Sequence, residues 1–342
     1  MREIGSEFWS IDIDTDKNNI DYLKIAKDNK LLMSGRSAID FVIKDINISN
    51  GIVYMPNYCC ESMVEPFISN SYNIEYYDVD IINNKYIIDM NKECDIFFAM
   101  SYFGYNKANM DKYIKNFARK NIIVIEDITH RLLCNNNYCK ESTYLVASLR
   151  KWFPIITGGI AICVGNKFNI STNSYSVNKE LIKKRRLAMD LKRDYLNGLN
   201  VDKERFLKLY SDSNNMFKKY SSMKIDELSL DILKKIDIDR VKNTRINNTE
   251  IIEKMLDNSN IKLLYKLEDG DCPLFVPVLL DNRDIIRKKL IDNNIYLPIH
   301  WPNFNNFNND IYNLELSLVC DQRYNNNDII EYMDKLIDIV GE

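Results

Sequence analysis

The first half of the chain alternates short apolar runs with segments of helical periodicity. Residues 36–44 space Ala38, Phe41 and Val42 three and four positions apart behind a Ser34-Gly35 cap, which predicts a helix. Residues 51–55 read as a strand stopped by Pro56, 60–67 as a short helix and 74–77 as a second strand. A strand at 96–100 closes on the turn Phe103-Gly104, and a helix at 110–118 leads into another strand at 122–126. Strands at 144–147 and 159–164 complete the set. All are short, rich in β-branched residues and apolar on both faces, and they alternate with helices. That pattern predicts an α/β architecture, a mostly parallel sheet covered on both sides.

The second half has a different texture. Residues 176–255 are helical and highly charged, with few Gly or Pro breaks and a stripe through Leu181, Arg185, Met189 and Leu196. Beyond them come a strand at 273–280, a helix at 284–293, a strand at 315–319 and an amphipathic helix at 327–340. This tail predicts a smaller α+β domain, with a boundary inside 239–247. The expected division is 1–240, including an N-terminal arm, and 241–342. No internal repeat is visible.

Composition changes this picture only by exclusion. With 342 residues, 46% of them apolar, the chain can bury a large core. A net charge of -3 leaves no basic field to recruit nucleic acid, and the run Lys183-Lys184-Arg185-Arg186 reads as a solvated helix face. The N-terminus has no apolar signal region and no run is long enough to span a bilayer, so a soluble cytoplasmic protein with no membrane partner is expected. Cys59-Cys60, Cys94, Cys134, Cys139, Cys163, Cys272 and Cys320 lack the spacing of a metal site. They are expected as reduced thiols, with no metal bound.

Ligands of parallel sheets bind outside the C-terminal strand ends, and Ser101, Asp127 and Ser148 all fall there. Asp127 belongs to Glu126-Asp127-Ile128-Thr129-His130, and Ser148-Leu149-Arg150-Lys151 is followed by Gly158-Gly159. An acid and a lysine in that order suit an electron-sink cofactor. The carboxylate keeps a pyridine nitrogen protonated, and the amine forms a Schiff base with an aldehyde. Ser34-Gly35-Arg36-Ser37 opens a helix whose free N–H groups make a phosphate site.

On these segments, together with Thr157-Gly158-Gly159 and Ile299-His300-Trp301-Pro302, the chain resembles the DegT/DnrJ/StrS group of fold-type-I pyridoxal-phosphate sugar aminotransferases. The resemblance implies a large domain on a mostly parallel seven-stranded sheet, a smaller C-terminal domain and a homodimer. It implies that Lys151 carries the cofactor and shuttles a proton, and that Asp127 bonds the pyridine nitrogen. His130 then lies near the ring or its phenolic oxygen, or is a structural histidine. Ser148 with Gly35, Arg36 and Ser37 holds the phosphate. A residue among Tyr58, Cys59 and Cys60 stacks on the ring, with Tyr58 equally readable as a core aromatic. His300 and Trp301 line the substrate entrance or simply pack the small domain.

Two departures stand out. Many members of the group have two more residues between the serine and the lysine, and the Gly-x-Asn-Tyr-Arg motif that reaches a partner's active site is not evident. Only 240–248, with Arg240, Lys242, Arg245, Asn247 and Asn248, offers comparable groups. The resemblance implies a pyridoxal-phosphate aminotransferase acting on a keto-sugar, nucleotide-linked, with glutamate or glutamine as donor, in glycan or secondary-metabolite synthesis. A lyase, dehydratase or amino-acid aminotransferase on the same fold, and a non-catalytic binding descendant, remain open alternatives.

Overall fold

A computed structural model describes residues 3–10, 23, 25–26, 28–105, 109–257 and 259–341. The elements in chain order are β1 (Ile4–Gly5), β2 (Asp28–Leu32), α1 (Gly35–Ile46), β3 (Ile52–Pro56), α2 (Glu61–Ser69), β4 (Asn73–Asp80) and β5 (Lys85–Ile87). Next come β6 (Ile96–Met100), α3 (Asp111–Arg119), β7 (Ile123–Asp127), β8 (Tyr144–Ser148) and β9 (Gly159–Cys163). Four helices follow, α4 (Lys179–Leu196), α5 (Lys203–Met216), α6 (Glu227–Lys235) and α7 (Ile238–Leu256). The chain ends with β10 (Lys262–Leu263), β11 (Val276–Leu279), α8 (Arg283–Asp292), β12 (Ile295–Tyr296), α9 (Ile311–Leu314), β13 (Glu315–Leu318) and α10 (Asn326–Gly341).

The large sheet has eight strands in the order β2-β9-β8-β7-β6-β3-β4-β5, one more than the seven expected. Five of them, β4, β3, β6, β7 and β8, are mutually parallel, and β9, β2 and β5 are antiparallel to their neighbours. The count was missed because two edge strands carry no apolar run: β2 begins Asp28-Asn29-Lys30, and β5 is a three-residue return after a turn at Asn84. Apart from β4, the strands of this sheet that were foreseen are largely buried. β6 is buried at every residue, because helices cover both of its faces and leave no solvent side to encode.

A three-stranded antiparallel sheet, β10-β11-β13, packs with α7, α8 and α10 around a second core that includes Val278, Leu316, Tyr332 and Leu336. β1 pairs in parallel with β12, so the start of the chain is tied to its C-terminal part. The expected division at 240 falls near the start of α7, a single helix of 19 residues.

One reading of the charged helices needs correction. Arg185 is not part of a solvated face; it is 4% exposed and its Nη2 lies 2.5 Å from Glu7 Oε2, with Asn214 on its Nη1 at 2.6 Å. The stripe expected through Leu181, Arg185 and Met189 is instead the buried side of α4, and Arg185 is tolerated there because an acid and an amide meet it. All eight cysteines are free. No helix among the described residues is long and apolar enough to cross a membrane.

Candidate active site

Leu32 at the end of β2 and Ser148 at the end of β8 both face Gly159, the first residue of the strand between them. The two strands therefore run the same way and stop at the same edge. A Cβ at Gly159 would lie 2.0 Å from the carbonyl oxygen of Ser34, so only glycine lets the chain pass here. Ser34 then caps α1, accepting from the Ser37 N–H at 3.2 Å, and the first turn of that helix carries no acid. Gly35 sits against Ser148, where a Cβ would come within 3.1 Å of the serine Cβ. The sheet edge and the positive end of a 12-residue helix thus open onto one cavity, lined by Gly35, Arg36, Cys60, Asp127, Ser148 and Lys151.

Asp127 ends β7, in register with Met100 on β6 and Val146 on β8. Its Oδ1 accepts the Thr129 N–H at 2.7 Å, while no described residue hydrogen-bonds Oδ2. Burial pushes this carboxyl above its ordinary range, against the hydrogen bonds from Thr129 and the charge of Lys151. Thr129 also braces the edge: its hydroxyl accepts the Ser148 N–H at 3.0 Å and its carbonyl accepts the Trp152 indole N–H at 2.6 Å.

His130 follows in a single tight turn, Thr129–Arg131, and is fully buried. Its Nδ1 accepts the Phe103 N–H at 2.9 Å. A backbone amide can only donate, so the neutral ring carries its proton on Nε2. That Nε2 is buried with no hydrogen-bond partner. Burial, then the nearby Lys151 and His300, hold the imidazole well below the usual histidine range. A neutral donor is therefore left pointing at nothing.

Lys151 closes the turn Leu149–Lys151 after β8, with its Nζ 5.6 Å from the centre of the Trp301 ring. Its charge reaches Asp127, His130 and His300. It also lines a second, adjoining cavity with His300, Arg287 and Arg245, and Arg150 and Glu7 lie on the border of both. The Arg150 guanidinium stacks 3.7 Å above the Phe217 ring, and its buried Nε has no hydrogen-bond partner.

The other expected residues divide. Ser37 is buried and does not line the cavity, its Oγ lying 3.0 Å from that of Ser34, whereas Arg36 reaches the cavity while paired with Glu65 at 3.0 Å. Cys60 lines the cavity, but Tyr58 does not. Tyr58 is a core aromatic packed by Tyr102, Trp301 and Tyr312, its hydroxyl donating to the His300 carbonyl. Trp301 packs 5.5 Å from His130, which brings the small-sheet loop directly onto the lysine. Thr129, Arg150, Glu7, Ser317 and Glu315 were not foreseen. Thr129 and Arg150 lay inside motifs already singled out; the sequence signal at the small sheet is an ionisable Glu315 two positions before Ser317 among the apolar residues of 315–320.

No family model matches the chain, and no curated protein matches it in sequence. Solved structures do match in fold. PseC from Helicobacter pylori, an aminotransferase involved in the biosynthesis of pseudoaminic acid, shares 13% identity over 99% of this chain and 100% of its own, with a TM-score of 0.68. NtdA from Bacillus subtilis with bound cofactor PMP shares 12% over 94% of this chain and 77% of its own, at a TM-score of 0.64. A DegT DnrJ EryC1 StrS aminotransferase from Brucella abortus shares 14%, covering 94% of this chain and 88% of its own, also at 0.64. The chain has the α/β fold of these aminotransferases.

Proposed function

We propose that this chain is a pyridoxal-phosphate aminotransferase that aminates a keto-sugar, with glutamate or glutamine as donor. The observation that carries the reading is Lys151 set among Asp127, His130 and the start of α1, on a fold shared with aminotransferases. The residues fit the cofactor: Asp127, with Oδ2 free, and a helix start beside Ser148 share one cavity, and the unpartnered buried Nε2–H of His130 lies behind its wall, near Lys151, without lining it.

When bound, pyridoxal phosphate supplies an aldehyde that captures amines and a ring that takes up an electron pair. Gly35, Arg36 and Ser148 would hold its phosphate at the α1 terminus, with Arg150 adding charge. Asp127 Oδ2 would keep a proton on the ring nitrogen, and His130 Nε2–H would donate to an oxygen of the ring. Lys151 would be the nucleophile and the carrier of the proton that moves at the substrate carbon. Cys60, which lines the same cavity, would take the position beside the ring.

The nucleotide-linked nature of the sugar, a homodimer, a cytoplasmic location and the division into 1–240 and 241–342 belong to the same proposal, supported by the resemblance. A visible absorption spectrum with pyridoxal phosphate tests it. The expected result is an absorbance band that glutamate or glutamine converts to that of the amino form, and that Lys151→Ala loses. A colourless protein that stays colourless with added cofactor sinks the proposal.

A further inference from the structure

The chain has only two histidines, and their rings stand 5.6 Å apart beside Lys151. They are wired differently. His130 is fixed by a backbone amide and can present only a donor. His300 Nδ1 lies 2.7 Å from Ser317 Oγ, which hydrogen-bonds Glu315 Oε1, while Glu315 Oε2 accepts the His300 N–H at 2.7 Å. Ser317 and Glu315 are fully buried on β13, whereas His300 lines the cavity that holds Lys151, and no described residue hydrogen-bonds its Nε2.

The hydroxyl of Ser317 has one proton and two neighbours. If Glu315 is ionised, Ser317 must donate to it, so His300 Nδ1 carries a proton and Nε2 is an acceptor. If Glu315 is protonated, its Oε2 is already engaged by an amide, so the proton sits on Oε1 and points at Ser317. Ser317 then donates to Nδ1, and Nε2 carries the proton instead. The state of one buried acid thus decides which function His300 offers the cavity.

We propose that Glu315, Ser317 and His300 form a proton relay between the buried interior of β13 and the cavity beside Lys151. Its use in turnover rests on the aminotransferase reading; the relay itself does not. Once an amine has added to the carbonyl carbon of a keto substrate, the former carbonyl oxygen is a hydroxyl; its C–O bond breaks with the electron pair on oxygen as the nitrogen lone pair forms the C=N bond. The leaving hydroxide takes the Nε2 proton and departs as water. Nδ1 takes the Ser317 proton and Ser317 takes that of Glu315, leaving a carboxylate. Return of water runs the chain backwards, and His300 never has to carry charge. That suits a ring which burial and Lys151 hold well below the usual histidine range. Burial pushes Glu315 up to about 8, within reach of such an exchange.

The groups facing the relay are few. Arg283 of α8 donates to the Glu315 and Tyr312 carbonyls, and the hydroxyls of Tyr58 and Tyr312 are both pushed up by burial. Phe103 and Phe275 flank the His300 ring, with His130 and Lys151 beyond.

The test is the ring-nitrogen NMR spectrum of the full chain labelled at its histidines. His300 should convert from the Nε2–H to the Nδ1–H pattern as pH rises through about 8, while His130 stays Nε2–H. Glu315→Gln turns its amide toward Ser317 and should hold His300 in the Nε2–H pattern at every pH. Ser317→Ala, which keeps the acid and cuts the wire, should abolish the switch and covers the case that Glu315→Gln fails to fold. An unchanging His300 in the wild type, or switching that survives Ser317→Ala, overturns the relay. In turnover, Glu315→Gln should lower kcat about 10²-fold with KM little changed. A switch seen in a protein that never binds cofactor would leave the relay standing and the aminotransferase reading fallen.

Discussion

Asp127 ends a strand of the large sheet and Glu315 opens a strand of the small one, and both carboxyls are buried, at 6% and 0% exposure. Both are pushed up by burial. They differ in what meets their oxygens. Asp127 spends one on Thr129 and turns the other to a cavity, so a cationic or N–H partner from outside can still complete it. Glu315 has both oxygens engaged within the chain. An acid with a vacant oxygen beside a lysine is built for a ligand; an acid sealed behind a serine is built to keep a proton. Burial alone does not separate a binding group from a reservoir, but the count of unmade hydrogen bonds does.

The comparison is broken most directly by swapping each acid for its amide. Asp127→Asn should cost about 10³-fold in kcat, because the amide cannot hold charge where the ring needs it. It should also weaken cofactor retention, seen as loss of absorbance on dialysis. Glu315→Gln should leave retention intact. If both amides release the cofactor equally, the two acids do not have separate roles.

A smaller effect is expected at Thr129, which bonds Asp127 and Ser148 but touches nothing on the Glu315 side. Thr129→Val removes the hydroxyl that accepts the Ser148 N–H and bonds the Asp127 side chain. Leaving those groups unpaired should lower stability by about 1–3 kcal/mol in urea unfolding. Since a favourable bond to the charged form is lost, the Asp127 carboxyl should rise further. No change in stability would mean that water replaces the hydroxyl at no cost.

The same contrast explains what could be read from the sequence. The Asp127 side was legible because it is local. Each candidate residue follows a strand or opens a helix within a few positions, and buried strands such as β6 and β7 announce themselves by continuous apolar runs. Edge strands β2 and β5 lacked such runs, and Arg185 was misjudged because a charged residue can enter a core when Glu7, 178 positions away, comes to meet it. The Glu315 side was illegible for that reason in a stronger form. His300 and Ser317 are 17 residues apart, and only the pairing of β11 with β13 and the return of the loop before α9 bring them together. His300 and Trp301 could be suspected of the site, but what stood behind them could not.

The smallest effect separates the acids without any ligand. Glu315 holds its proton up to about pH 8 in the folded chain but releases it near 4.3 when unfolded. Between those values the folded state binds the extra proton, so stability falls as pH rises and levels off above about 8. Glu126, pushed up to about 7 by burial despite its bonds to Ser142 and Cys139, adds a slope of the same sign. Glu315→Gln removes one contribution and keeps the other. Its melting temperature should therefore fall less steeply than that of the wild type between pH 5 and 8. The gap should widen by a few degrees and then stay constant in more alkaline buffer. Asp127→Asn should flatten the curve less, because Thr129 and Lys151 already favour its charged form. Parallel curves for wild type and Glu315→Gln would mean that Glu315 is ionised in the folded protein throughout, and would remove the reservoir from one end of the comparison.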